Sequence, residues 1–177
     1  MTSRPWAHDT CKNVQVLCCV DVDYQETGVT AAAVGFVTWG DAIATVEVVV
    51  RTFESPPAYE PGAFAKRELP YLLGVLARMP PLEAILVDAY VWLGPDRAGL
   101  GARLHDACGL PVIGVAKTRF EGAVAREVVR GDSARPLYVT AVGIDEQLVA
   151  EHVRTMHGEF RIPTLIKRAD ALARGRR

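Results

Sequence analysis

A chain of 177 residues, half of them apolar, is long enough to bury a core as one domain and too apolar to be disordered by default. No apolar run reaches the roughly 18 residues of a membrane helix, so no membrane partner is expected. The formal net charge of −1 argues neither for nor against nucleic acid.

Met1 to Lys12 is polar and lacks the apolar stretch of a signal peptide. The cysteines Cys11, Cys18, Cys19 and Cys108 fit neither a disulfide framework nor a zinc spacing. Free thiols suit a reducing compartment, and a cytoplasmic location is expected. From Val14 to Tyr24 the apolar residues run nearly unbroken, as in a central strand. Period-2 geometry puts Asp21 and Asp23 on one face and sends the adjacent Cys18 and Cys19 to opposite faces. Gln25 to Gly28 reads as a turn. Thr30 to Trp39 and Ile43 to Phe53 are rich in β-formers, with Gly40-Asp41 as a hairpin signal between them. Glu54 to Gly62 is a loop stiffened by Pro56, Pro57 and Pro61.

Ala63 to Met79 has helical spacing, and Pro70 inside the pattern predicts a start near Leu69, with Glu68 close to the N-cap. There the helix dipole eases its charge by about 0.3–1 kcal/mol. Pro80-Pro81 ends the helix. Ala84 to Asp88 is a buried strand that closes on a lone carboxylate, and the turn Gly94-Pro95-Asp96 follows. Ala98 to Cys108 is a helix capped by Gly109, and Val112 to Val115 is a parallel strand leading to Lys117. Val124 to Arg130 and Pro136 to Val142 read as edge strands. Asp145 to Met156 and Thr164 to Ala173 read as helices. An antiparallel meander followed by parallel α/β units predicts a mixed five-stranded sheet with helices on both faces, within a single domain over residues 1–177.

Open α/β sheets bind ligands beyond the carboxyl ends of their strands, which is where Asp21 and Asp88 fall. With Glu68 they offer three hard oxygen donors from three elements, a set that suits Mg²⁺ or Mn²⁺ and in-line displacement at phosphorus. Spacing alone leaves the other reading open, in which each acid is a cap, a strand end or a surface pair. Asp23 is either a fourth ligand or an exposed strand-end acid. Lys117 is either a phosphate holder or a surface lysine. His8, His105, His152 and His157 are scattered and suggest no zinc site or triad. Tyr59-Glu60-Pro61-Gly62 puts an aromatic near the tip of a stiff loop, able to stack on a base. The basic stretch with Lys167, Arg168, Arg174, Arg176 and Arg177 offers phosphate contacts or a solvated helix end.

Three segments together resemble the endonuclease V family, nucleases that act at deaminated purine (inosine) sites. Cys19-Val20-Asp21-Val22-Asp23-Tyr24 is similar to a Gly-Val-Asp-Val-Ser-Tyr strand. Tyr59-Glu60-Pro61-Gly62 continuing to Lys66-Arg67-Glu68 is similar to a Tyr-x-Pro-Gly-x-Leu-x-Phe-Arg-Glu motif. The third segment runs from Leu86-Val87-Asp88 through Gly94-Pro95 and Gly99-Leu100 to Ile113-Gly114-Val115-Ala116-Lys117. Pro136 to Thr140 and Phe160-Arg161-Ile162-Pro163-Thr164 also resemble the family. The resemblance implies a ribonuclease H-like fold and Mg²⁺-dependent cleavage (Mn²⁺ as substitute) of a phosphodiester bond near inosine in DNA or RNA, leaving a 3′-hydroxyl, as in DNA repair. It implies Asp21, Glu68 and Asp88 as metal-binding catalytic acids, with Lys117 and Asp170 catalytic beside them, in a monomer whose partner is nucleic acid. Tyr59, Pro61 and Gly62 match the loop that wedges beside an extruded base. Ala89 and Tyr90 lie where the family has a Gly-rich turn close to that base. Ala89-Tyr90-Val91 brings side chains to a place that needs bare backbone, and Gly94 replaces the usual His. These departures favour two alternatives: a divergent nuclease with another base or structure preference, and a catalytically weak nucleic-acid-binding protein.

Overall fold

The computed structural model describes residues 15–53 and 64–176. Its first strand, β1 (Val16–Gln25), is the near-continuous apolar run, and it turns through Glu26-Thr27 into β2 (Gly28–Phe36). A connection over 37–45 leads to β3 (Val46–Thr52), so Gly40-Asp41 lies in a loop rather than a two-residue hairpin. The Asp41 carboxylate organises that loop by accepting from the Val37 and Thr38 amides, each at 2.9 Å. After α1 (Phe64–Leu76) come β4 (Leu82–Val87), a small hairpin of β5 (Trp92–Gly94) and β6 (Arg97–Ala98), then α2 (Leu100–Cys108) and β7 (Val112–Ala116). The chain continues with β8 (Arg126–Val128), β9 (Leu137–Val142), α3 (Glu146–Thr155) and α4 (Thr164–Ala173).

The sheet has the order β3-β2-β1-β4-β7-β9-β8. The five strands β3-β2-β1-β4-β7 are the meander and parallel units expected from the sequence. β9 and β8 extend them to seven. β9 is therefore an interior strand, antiparallel to both β7 and β8, and among the described residues β8 and β3 form the edges. Successive β1 residues point to opposite faces, as period 2 requires. Leu17 and Cys19 pack with Val149 and Val153 of α3 and Leu165 and Ala169 of α4. Cys18 and Val20 pack with Leu72 and Val75 of α1 and Leu100 and Leu104 of α2. Burial pushes the Cys18 thiol up to about 12 and also holds the Cys19 thiol well above its ordinary value. Among the described residues no helix is long and apolar enough to cross a membrane.

Pro70 does not start α1 but sits inside it, in the second turn. A proline there removes one helical hydrogen bond, and the burial of Leu72, Val75 and Leu76 against the sheet outweighs that loss. Glu68 consequently lies within the helix rather than at its N-cap, beyond the strongest reach of the dipole.

Beside the connection from α3 to α4, Arg130 is only 5% exposed. Its guanidinium donates to the carbonyls of Arg154 and Phe160 at 3.1 Å and of Gly158 at 3.2 Å, and also to Met156. These groups end α3 and begin the loop to α4. Carbonyl oxygens that helix geometry leaves without partners are met by one side chain.

Candidate active site

The parallel register of β1 and β4 ends at Val20 opposite Val87. The next residue of each chain is an aspartate, so Asp21 and Asp88 stand side by side at the carboxyl edge of the two central strands. β7 adds Lys117 one residue past its end, and its Nζ lies 2.5 Å from Asp88 Oδ2. Asp21 shares its face with Cys19, the face covered by α4, and α4 contributes Asp170. Asp21, Asp88, Lys117 and Asp170 line one cavity of about 10 Å³. That is room for about one water-sized body.

Glu68 approaches from α1 on the opposite face and is 9% exposed. Burial, then the Asp21 charge, pushes its carboxyl up to about 8, with Arg67 opposing and Asp88 adding a smaller push. Burial raises Asp21 to about 6, with Asp88 and then Asp170 adding to it. Crowded carboxylates in a poorly solvated place resist ionising together, and a cation among them would favour the charged forms. The donors are all carboxylate oxygens, which in kind fit Mg²⁺ or Mn²⁺. Among the described residues, however, no three His, Cys, Asp or Glu side chains are grouped closely enough to hold an ion as they stand. The expected three-acid convergence is thus met in neighbourhood and not in ligand geometry: Lys117 takes Asp88, and Glu68 does not line the small cavity. Asp23 lies off that cavity, accepting from Gln25 Nε2 at 3.2 Å.

Asp88 and Lys117 also border a much larger cavity of about 800 Å³. Ala89 and Tyr90 form part of its wall, with Phe64, Arg97 and Phe120. Tyr90 is 7% exposed. Its hydroxyl donates to the Thr118 carbonyl at 2.9 Å and accepts from the Phe120 amide at 3.1 Å. Its ring lies 6.1 Å from that of Phe120 and 6.5 Å from that of Tyr138. Tyr90 is therefore a fixed wall that ties the chain after Asp88 to the chain after Lys117. Arg97 lies over the Phe120 ring at 5.6 Å. Tyr59, Pro61 and Gly62 lie outside the described residues.

Sequence reasoning missed Phe120, Arg97 and Arg161. Arg161 donates to the Pro136 carbonyl at 2.7 Å and to the carbonyl of Lys117 itself, and so fixes the backbone that aims the lysine. Its partners are 25 and 44 residues away, beyond any local pattern. Phe120, an aromatic three residues after Lys117, was the one local signal available. The histidines serve elsewhere: His152 stacks on Trp39 at 4.8 Å, and His105 Nδ1 pairs with the Leu110 carbonyl at 2.7 Å.

The family model described as Endonuclease V matches residues 3–158. Endonuclease V of Streptomyces coelicolor is 31% identical over 179 residues, spanning 88% of this chain and 76% of that relative. The crystal structure of endonuclease V from Streptomyces avermitilis aligns with a TM-score of 0.74 at 29% identity, over 92% of this chain and 81% of that one. A Ciona intestinalis endonuclease V (D234N), in complex with a 23mer DNA containing an inosine followed by a ribo-adenosine, aligns with a TM-score of 0.77 at 17% identity, over 93% and 86% of the two chains. The fold shared with these structures is the ribonuclease H-like one.

Proposed function

This chain belongs to the endonuclease V family, and from that premise we propose that it is a metal-dependent endonuclease hydrolysing a phosphodiester bond near inosine in DNA or RNA. The observation that carries the reading is the adjacency of two unlike cavities. One is of single-ion size among Asp21, Asp88, Asp170 and Lys117, and the other is wide enough for a base, sharing Asp88 and Lys117 with it.

Asp21, Glu68 and Asp88 would hold Mg²⁺ or Mn²⁺, which when bound supplies an activated water and neutralises charge on the phosphate. The residues of the chain set up the rest. Asp170 from α4 adds negative charge on the far side of the small cavity. Lys117 carries a positive charge to the boundary between the two cavities, where it can pair with a phosphate oxygen instead of Asp88. Arg161 keeps the Lys117 backbone in place while the side chain exchanges partners. The aromatic wall of Tyr90 and Phe120 excludes water and offers a face for a base. Hydrolysis that breaks the bond from phosphorus to the upstream nucleotide's O3′ yields a 3′-hydroxyl on the upstream fragment and leaves the phosphate on the 5′ end of the downstream one. In this reading residues 1–177 act as one nuclease domain in the cytoplasm, working as a monomer.

A second reading is favoured by one feature: the side chains of Ala89 and Tyr90 stand in the cavity wall beside Asp88. A pocket walled by side chains selects a base by shape, and its preference then differs from inosine.

The test uses single-stranded DNA and RNA oligonucleotides, each with or without one inosine, in Mg²⁺, Mn²⁺ or EDTA. Cutting near inosine is expected with either cation, is lost in EDTA, and falls at least about 10²–10³-fold in Asp88→Ala, the scale of losing one charge-stabilising group at a reacting centre. Equal cutting of inosine-free strands moves the assignment to the second reading. No metal-dependent cutting of any strand removes the enzyme reading.

A further inference from the structure

The face of the sheet that carries Asp21 continues across β2 and β3. The register sets Asp23 opposite Thr30, and Thr30 opposite Arg51. Over this end lies the C-terminus of α4, where Arg174 Nε bonds Asp170 Oδ1 at 3.0 Å. Between the two runs a cleft of about 390 Å³, lined by Arg51, Arg174, Gln25, Thr30 and Thr52 among others. Its described lining holds two guanidinium groups and no carboxylate, in a chain whose net charge is −1. Arg51 reaches across it: a guanidinium nitrogen comes within 3.9 Å of where a Cβ on Gly175 would stand.

The position matters as much as the charge. Asp170 lines the ion-sized cavity and also receives Arg174, so the cleft opens one helical turn from that cavity. The large aromatic cavity adjoins the same small cavity through Asp88 and Lys117. The ion-sized cavity thus adjoins a wide, partly aromatic space of mixed charge and, through Asp170 and Arg174, a smaller polar cleft whose described charged groups are both cationic. A helical turn spans 5.4 Å, comparable to the separation of neighbouring phosphates along a strand.

We infer that the Arg51–Arg174 cleft is a phosphate subsite for the nucleic-acid strand on the side of the scissile bond away from the base-holding cavity. The inference rests on the nuclease reading and assigns its backbone contact. The C-terminal basic residues then divide by role. Arg168 is taken by Glu47 at 2.7 Å and Lys167 lies over Phe160 at 5.6 Å, whereas Arg174, paired with Asp170 at 3.0 Å, also lines the cleft with Arg51. A guanidinium fork suits phosphate better than an ammonium because it offers paired donors. The threonine hydroxyls and the Gln25 amide add neutral contacts that position the strand without reading its sequence.

The probe is a fluorescein-labelled single-stranded DNA oligonucleotide. Its binding is read by anisotropy in EDTA across a salt series, and as KM in Mg²⁺. Arg51→Glu is expected to raise Kd and KM about tenfold, the scale of one charged hydrogen bond, with kcat unchanged. The slope of log affinity against log salt should fall by about 0.7, one phosphate on a single strand. Arg51→Lys should recover most of the affinity. Arg78→Glu, on an exposed position past α1 at the opposite end of the sheet, is the charge-matched control. If Arg51→Glu matches Arg78→Glu while wild type binds and cuts, the cleft is not a subsite and the nuclease reading stands. If wild type neither binds nor cuts, both fall.

Discussion

Arg130 and Glu68 are comparably hidden from water, at 5% and 9% exposure, and the protein treats them in opposite ways. Around Arg130 the fold supplies carbonyl after carbonyl, so the buried charge is met on every side. Around Glu68 and Asp21 it supplies more carboxylates, and burial first, then these neighbours, raise their proton affinity. Arg130 joins one segment to another and is finished by the fold. The acids are assembled at a cost that Arg67 and Lys117 relieve only in part. A buried charge that the fold satisfies marks structure, and a buried charge that the fold aggravates marks a site.

The sharpest way to break this contrast is Arg130→Met. Removing the donor leaves several shielded carbonyls without partners, each worth about 1–3 kcal/mol, so a loss on the order of 4 kcal/mol is expected. Denaturant unfolding checks it. If stability barely moves, Arg130 is not the organiser described here.

The acids predict a different response, to pH. Both Asp21 and Glu68 have raised folded pKa values, so the folded state binds more protons than the unfolded one between the two values, and stability falls as pH rises. For Asp21 the window runs from 3.8 to about 6, and for Glu68 from 4.5 to about 8. Without divalent cation, stability is therefore highest below about pH 4 as far as these two groups decide it. It should drop toward pH 8 by on the order of 2 kcal/mol, after allowance for partial solvent access. Adding Mg²⁺ or Mn²⁺ should flatten the curve, and Asp21→Asn combined with Glu68→Gln should abolish it. A melting series in EDTA and in cation reads all three. A pH-independent melting point in EDTA would show that the acids do not strain the fold.

The smallest effect belongs to the surface pair of Arg168 and Glu47, which joins α4 to β3 in the open. Arg168→Ala should cost less than about 1 kcal/mol, and less still in high salt. A larger loss would mean that α4 depends on this pair rather than on Leu165 and Ala169 beneath it.

The sequence disclosed what short periodicities encode. An unbroken apolar run ending in acid located β1 and β4, and their parallel pairing then made Asp21 and Asp88 neighbours. Pro70 misled, because the penalty it carries is local while the burial that overrides it lies on the sheet. The interior position of β9 depends on β8 crossing beyond it, which no local pattern records. Tyr90 could be recognised as an intrusion after Asp88, but not as a tie, since its hydroxyl partners are 28 and 30 residues onward. Arg51 gave no signal in a strand that alternates exposed and half-buried residues. Its meaning comes from a helix that arrives more than a hundred residues later.

The strand that carries Asp21 also carries Cys18 and Cys19, buried back to back in the two cores. A thiol reacts as its thiolate, and burial keeps both protonated. Half-buried Cys108, at the end of α2, is the reference among the described cysteines. In a disulfide-exchange reagent, Cys108 reports surface access, whereas Cys18 and Cys19 react only when the central strand itself opens. The pair is a built-in clock for β1, and slowing of that clock by cation or oligonucleotide would measure how firmly an occupied site locks the middle of the sheet.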